Sequence, residues 1–492
     1  MGRERALPGD WPVLIQGGMG VAVSGWRLAR AVAATGQLGV VSGVALDAVL
    51  ARRLQLGDPD GHVRRALAEL PLPGVADRIL RRYFVPGGIP AGQPFRPVPR
   101  LGLRPNPAGT ELAVAGNFVE VHLAKQGHRG PVGVNYLEKV QLATPAAAYG
   151  AMLAGVDYVL MGAGIPAEIP SLLNALAAGA PGEVSVTVAG ADSGARYVAR
   201  LDPAVLHGFS QPCAAPPPLT RPVFLAIVSS SVLAQYLARH PATAPDGFVL
   251  EGPGAGGHSA PPRGRLQLDA SGQPVYGPRD EIDLAKVAAL GLPFWLAGGQ
   301  AADGRLAAAR AAGAQGIQVG TAFALCRESG LEPRLRGQLI EQALAGTLTV
   351  RNEPAVSPAG FPFKVAGLPG TLGDGEAYAA RPRLCDLGYL RVPYQRAGGR
   401  VGYRCPAEPV GVYLRKGGTA GEASGRRCLC NGLLAAIGLA QRTAAGTAEP
   451  PLLTLGQDLG FLPALVAAAG PGFGAADVVA LLLRGAPAPH SG

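Results

Sequence analysis

Short apolar runs recur along the chain, and longer stretches of mixed polarity separate them. Runs of this length, rich in Val, Ile, Leu and Phe, read as buried strands, whereas the stretches between them carry helix-like spacing. The pattern predicts strands at Val13–Ile15, Gly39–Ser42, Pro131–Asn135, Tyr158–Met161, Val223–Val228, Phe248–Glu251, Phe294–Ala297 and Ile317–Val319. Alternating strands and helices build parallel sheets. Most of these runs end in small or polar residues, such as "QGGMG", "MGAG", "SSS", "EGPGAGGH", "AGGQ" and "GTAF". Eight such units predict an α/β fold, a (β/α)8 TIM barrel, with the strand ends meeting at one mouth where glycines let backbone approach a ligand.

Two segments interrupt the rhythm. Residues 44–118 hold a charged, helix-patterned segment and then a Pro-rich stretch, read as an insertion or lid. Residues 180–220 alternate as "EVSVTV" and "RYVARL" around "AGADSG", a hairpin signal. After about residue 346 the strand–helix rhythm stops. The expected organisation is a barrel over 1–345 with both insertions, a Cys-containing appendage over 346–450, and a helical tail over 451–492.

Composition narrows the class of function. The 492-residue chain has a net charge of +10, which permits contact with nucleic acid. Its arginines are scattered along the whole chain, however, and aromatics make up only 5%, so no basic stripe with stacking residues can be assembled. Neither a nucleic-acid partner nor a membrane is expected, since the most apolar windows fall short of the ~20 residues that a span requires. The N-terminus lacks the apolar stretch of a signal peptide, and six cysteines in so long a chain do not read as a disulfide framework. A cytoplasmic protein is the expectation.

Four motifs carry candidate chemistry. "LIQGGMGVAVSG" follows a strand and opens a helix, but Val23 stands where a dinucleotide fingerprint wants Gly or Ala, and the second strand lacks a ribose-binding acid. Gly298-Gly299 and Gly320-Thr321 close the last two strands, where this fold binds phosphate through backbone amides; tight turns alone are the competing explanation. His258, in "GPGAGGHSAPPRG", stands at a strand end behind residues too small to obstruct a ligand. It reads either as an acid–base group or as an ordinary loop histidine. Cys385, Cys405, Cys428 and Cys430 could form a zinc or iron–sulfur site, or pack as small hydrophobes; only one pair is close, as C-x-C. Cys213 and Cys326 have no companions and read as structural.

Taken in order, "LIQGGMG", "VGVN", "DYVLMGAGIP", "GPGAGGH", "LAGGQA" and "QVGTAFA" resemble the nitronate monooxygenase family, formerly the 2-nitropropane dioxygenases, over roughly residues 12–330. The resemblance implies an FMN-dependent (β/α)8 barrel that oxidises alkyl nitronates, or nitroalkanes, with O2 to a carbonyl compound and nitrite. It implies FMN contacts from Gly17, Gly18, Met19, Asn135, Gly256 and Gly257, and a phosphate hold from Gly298, Gly299, Gly320 and Thr321. His258 matches the family's active-site histidine. Members often continue "AGGH" with Arg-Gly, where this chain has "SAPPRG". The insertions look closer to a long subgroup related to flavin enoyl reductases of polyketide and polyunsaturated fatty acid synthesis. An FMN-dependent, NAD(P)H-using enoyl-thioester reductase is therefore the alternative, so the small-molecule substrate is an anion or a thioester and the co-substrate is O2 or NAD(P)H. A non-catalytic flavin- or metal-binding scaffold is the alternative of another class.

Overall fold

The structure is a computed structural model that describes residues 11–208, 216, 218–443 and 445–484. Cys213 lies outside the described residues. Eight parallel strands close into a barrel: β1 (Leu14–Gln16), β2 (Leu38–Ser42), β3 (Val132–Leu137), β4 (Tyr158–Gly162), β5 (Val223–Val228), β6 (Gly247–Glu251), β7 (Phe294–Ala297) and β8 (Gly316–Val319). Each pairs with its neighbours in chain order, and β8 closes on β1 with Leu14 opposite Ile317. All eight expected strands are present, shifted by one or two residues at some ends.

The barrel interior is a packed core, as this fold requires. Ile15, Val40, Leu160, Leu225, Val249 and Trp295 fill it, and Trp11 plugs the end opposite the mouth, edge-on to Trp295 at 5.6 Å. The ladder between β1 and β2 is short, and the fully buried Gln16 side chain extends it. Its Oε1 accepts from Val40 N at 3.0 Å, and its Nε2 donates to Val40 O at 3.2 Å. A buried amide is tolerated here because both ends are bonded.

Helices form the outer ring, several with the expected start signals. The "SSS" after β5 supplies Ser230, whose hydroxyl accepts from Leu233 N at 3.0 Å and caps the helix Ser231–Ala238. Asp283 caps Leu284–Ala288 in the same way. Residues 44–118 fold as helices Leu46–Gln55, His62–Ala68 and Val75–Tyr83, a Pro-rich connection, and the start of the long helix Pro107–Ala124. In Val75–Tyr83 the buried side chains are Val75, Ile79 and Tyr83, one stripe at helical spacing. The "EVSVTV" and "RYVARL" segments pair as an antiparallel hairpin, Gly182–Ser185 against Val198–Leu201.

Beyond the barrel, Thr349–Glu353 and Phe363–Gly367 form one antiparallel pair and Val392–Gln395 with Val401–Arg404 another. Residues 451–461 run back across the barrel mouth without regular structure, and the helices Leu462–Ala469 and Ala475–Leu482 follow. No helix among the described residues is long and apolar enough to cross a membrane.

Candidate active site

At the mouth of the barrel two cavities share walls formed by Gly18, Glu251, Gly256 and Gly257. The larger, about 610 Å³, is lined by the ends of β3 to β6 and by residues from beyond the barrel, including Phe361, Phe363, Leu429 and Leu433. The smaller, about 150 Å³, lies among the ends of β1, β7 and β8 and is covered by Thr454, Leu455 and Gly456 of the returning C-terminal segment.

The residues singled out in the sequence converge here. Asn135 and His258 line the large cavity; Gly18, Gly256 and Gly257 line both; Gly17, Met19, Gly298, Gly299, Gly320 and Thr321 line the small one. Glycine is required at particular points. A Cβ on Gly18 would stand 2.4 Å from the Asn135 Cβ, and Gly298 and Gly299 adopt φ of +88° and +67°, where side chains are strained.

His258 is held in an aromatic slot. Its ring meets Phe363 edge-on at 4.9 Å and Phe361 at 6.4 Å, and its Nε2 lies 2.7 Å from the hydroxyl of the fully buried Ser357. Burial pushes its pKa down to about 4, so the imidazole is neutral near pH 7. The loop carrying it is pinned to the strand Phe363–Gly367: Lys364 N donates to Gly257 O and Ser259 N to Pro362 O, both at 2.9 Å.

Sequence reasoning missed two ionisable groups beside this loop, Lys364 and Glu251. Lys364 is fully buried, and its Nζ donates to Ser259 Oγ at 2.7 Å and to the Pro253 carbonyl. Burial lowers its pKa to about 8, and the Glu251 carboxylate opposes that shift. Burial in turn raises the Glu251 carboxyl to about 7, with Lys364 holding the rise back. The available signal was a lysine inside the apolar run "FPFKVAG", in a chain that carries only five lysines against 39 arginines. Ser357, Thr454 and Asp458, which also shape the site, carried no signal, because each meets it only through the tertiary fold.

The cysteine expectation is corrected. Among the described residues no group of three or more His, Cys, Asp or Glu side chains is placed to hold a metal ion. Cys405 and Cys428 pack with Ala407 against Cys430, and all four of Cys385, Cys405, Cys428 and Cys430 are free thiols. Burial pushes Cys385 up to about 11 and Cys405 to about 12, while a hydrogen bond to Cys430 and then burial raise Cys428. These surroundings favour neutral thiols that pack as small hydrophobes. Cys326 is buried likewise, its Sγ on Phe323 O at 3.0 Å.

The site's polar atoms suit a flavin nucleotide. Asn135 Oδ1 and Gln318 Oε1 are buried without a hydrogen-bond partner, an arrangement costly unless a ligand supplies donors. No Lys or Arg lines the small cavity, so an anion there would be held by backbone amides at the ends of β7 and β8. Two acidic side chains, Glu251 and Asp458, also line it.

Comparison with known proteins bears directly on the segment that carries β5 to β8. Residues 220–355 match the nitronate monooxygenase family. The matched segment contains His258, Gly298, Gly299, Gly320 and Thr321. A probable nitronate monooxygenase of Bacillus subtilis (strain 168) is 37% identical over 102 residues, 21% of this chain and 28% of the relative's length. Among solved structures, nitroalkane oxidase from Streptomyces ansochromogenes overlaps with a TM-score of 0.41 at 16% identity, covering 96% of this chain and 94% of its own. FabK from Thermotoga maritima overlaps at 0.37 and 19% identity, covering 73% and 72%. The fold assignment stands on the closed strand order of the barrel.

Proposed function

We propose that this chain is an FMN-dependent oxidoreductase of the nitronate monooxygenase type, which converts alkyl nitronates with O2 to a carbonyl compound and nitrite. The observation that carries the reading is the convergence of the eleven positions expected to bind FMN or to act on substrate on two adjoining cavities at the strand ends. In this reading FMN supplies the redox chemistry when bound. The amides of Gly298, Gly299 and Gly320 with the Thr321 side chain hold its phosphate, and Gly17, Gly18, Met19, Asn135, Gly256 and Gly257 border the rest.

The remaining work falls to the chain's own residues. Phe361, Phe363, Leu429 and Leu433 give the large cavity an apolar wall. Neutral His258, fixed by Ser357, offers a hydrogen bond to the nitro group of a bound substrate. Fixed polar groups beside an apolar wall act more strongly than the same groups in water.

A second reading, FMN-dependent reduction of an enoyl thioester by NAD(P)H, is favoured by the size and apolar lining of the same cavity, which suit a chain longer than a small nitroalkane.

The decisive measurement is the visible spectrum of the purified protein, with the chromophore identified after denaturation. Released FMN is expected; a colourless protein that does not take up added FMN would overturn both readings. Anaerobic reduction by a nitronate, against reduction by NADPH that is then discharged only by an enoyl thioester, separates them. His258→Ala is expected to lower turnover of neutral nitroalkanes more than that of preformed nitronates. Equal activity of variant and wild type on both would remove His258 from the chemistry.

A further inference from the structure

Glu251 ends β6 at a junction. Its side chain borders the large cavity, the glycine-lined cavity and a third cavity of about 150 Å³ beside Ser229, Arg263, Tyr276 and Asp280. Among the described residues no group hydrogen-bonds its carboxylate. The other charged and titratable groups around it are already engaged. Arg263 donates to the carbonyls of Arg279 and Ser229 at 2.7 and 2.8 Å, Asp280 accepts from the backbone of Arg263 and Gly277, and Tyr276 donates to Ala260 O at 2.9 Å. Across the large cavity Lys139 pairs with Glu138 at 2.9 Å, and in the glycine-lined cavity Asp458 accepts from Gly460 N. His258 is fixed on Ser357. That leaves the buried Lys364, anchored on Ser259, as the group whose charge acts most directly on Glu251.

A residue that removes a proton from carbon works best when its pKa lies near the working pH and when it can reach both substrate and solvent. His258 meets neither condition well, because its conjugate acid is strongly disfavoured and its Nε2 is occupied. Glu251 meets both: it stands between the substrate-sized cavity and a polar side cavity, and its carboxyl is poised near neutrality.

We propose that Glu251 is the acid–base residue of the site, taking the α-proton of a carbon acid bound in the large cavity and passing it to water in the third cavity, with the buried Lys364 cation favouring its carboxylate. The carbon–hydrogen bond breaks, its electron pair stays on the substrate as the delocalised anion, and the proton forms an O–H bond on Glu251. Water in the side cavity then takes that proton, and the carboxylate is restored. The inference rests on the oxidoreductase reading only for the kind of substrate; the proton step needs neither oxygen nor a redox partner.

The test uses nitroethane in D2O without oxygen, following α-deuterium incorporation by NMR. The full-length protein is expected to accelerate exchange, with a rate that rises through one ionisation near pH 7. Glu251→Gln, equal in shape, is expected to slow it by about a hundredfold and to abolish the pH step. Lys364→Met is expected to move the midpoint upward, because the cation that favours the charged carboxylate is gone. A second readout needs no substrate or flavin: a carboxyl infrared band that titrates near neutrality in the wild type and is missing from Glu251→Gln. Exchange and pH step unchanged in Glu251→Gln, or no carboxyl titrating near neutrality, would overturn the proposal. Exchange and band as expected, in a protein that no nitronate and no NADPH reduces, would overturn the oxidoreductase reading and leave Glu251 as the proton-transfer residue.

Discussion

At the scale of single residues, the site stores a cost that pH can reveal. Burial holds the folded-state pKa of His258 at about 4, below its ordinary value of 6.5. Between these values the unfolded chain binds a proton that the folded one refuses, so stability falls as pH drops through this window and does not change further below it. The expected loss between pH 7 and pH 5 is roughly 2 kcal/mol from this residue. His258→Gln, which cannot titrate, should flatten that part of the profile in urea unfolding at the two pH values; an unchanged slope would show that the imidazole is not desolvated. Gly18 makes a second expectation. An alanine there brings its Cβ within 2.4 Å of the Asn135 Cβ, so a strand end must move. Overpacking of this kind costs about 1–3 kcal/mol. Gly18→Ala should therefore fold, melt at lower temperature and carry less FMN, as chromophore content and a thermal melt would show.

At the scale of elements, the barrel strands were legible because each is a short apolar run closed by glycine or a helix-capping residue, and both signals are local. The same locality made the Gly182–Ser185 and Val198–Leu201 hairpin readable. The strand Phe363–Gly367 was not readable as part of the site. Its contribution is to pin the His258 loop and to bury Lys364 behind it, through contacts to residues about a hundred positions earlier. The returning segment at 451–461 behaves alike: Thr454 Oγ1 accepts from Gly257 N at 2.9 Å, and Gly456 N donates to Thr321 Oγ1 at 2.8 Å. It brings Asp458, a like charge, to a cavity expected to hold a phosphate. Asp458→Asn should tighten FMN retention, by up to roughly fivefold because an exposed carboxylate is well screened. Equilibrium dialysis of FMN checks this, and weaker retention would mean that the carboxylate accepts a hydrogen bond from the cofactor instead.

At the scale of the whole molecule, the segment after residue 346 is packed onto the barrel and completes its large cavity. The helix Leu46–Gln55 is tied to it by Arg52, whose guanidinium reaches Asp386 at 3.2 Å, Leu439 O at 2.7 Å and Asn431 at 3.1 Å, and by Tyr389, which donates to Asp47. Arg52 is buried, and breaking such a network strands a charge in a poor solvent, which costs more than a surface ion pair gains. The cysteines belong to this scale too. Their count and spacing left a metal site open, and only the packing showed neutral thiols among small side chains.

The sequence by itself determined the eight strands, their parallel order and the glycines and histidine at their ends, because strand length, turn chemistry and backbone conformation are set within a few residues. The tertiary structure alone decided that His258 is desolvated, that Glu251 ends its strand at a cavity junction where the charge of buried Lys364 acts on it, and that Cys405, Cys428 and Cys430 pack among small side chains. Those properties depend on desolvation and on charges brought together from distant parts of the chain, and no local pattern records which segments will exclude water from which side chain.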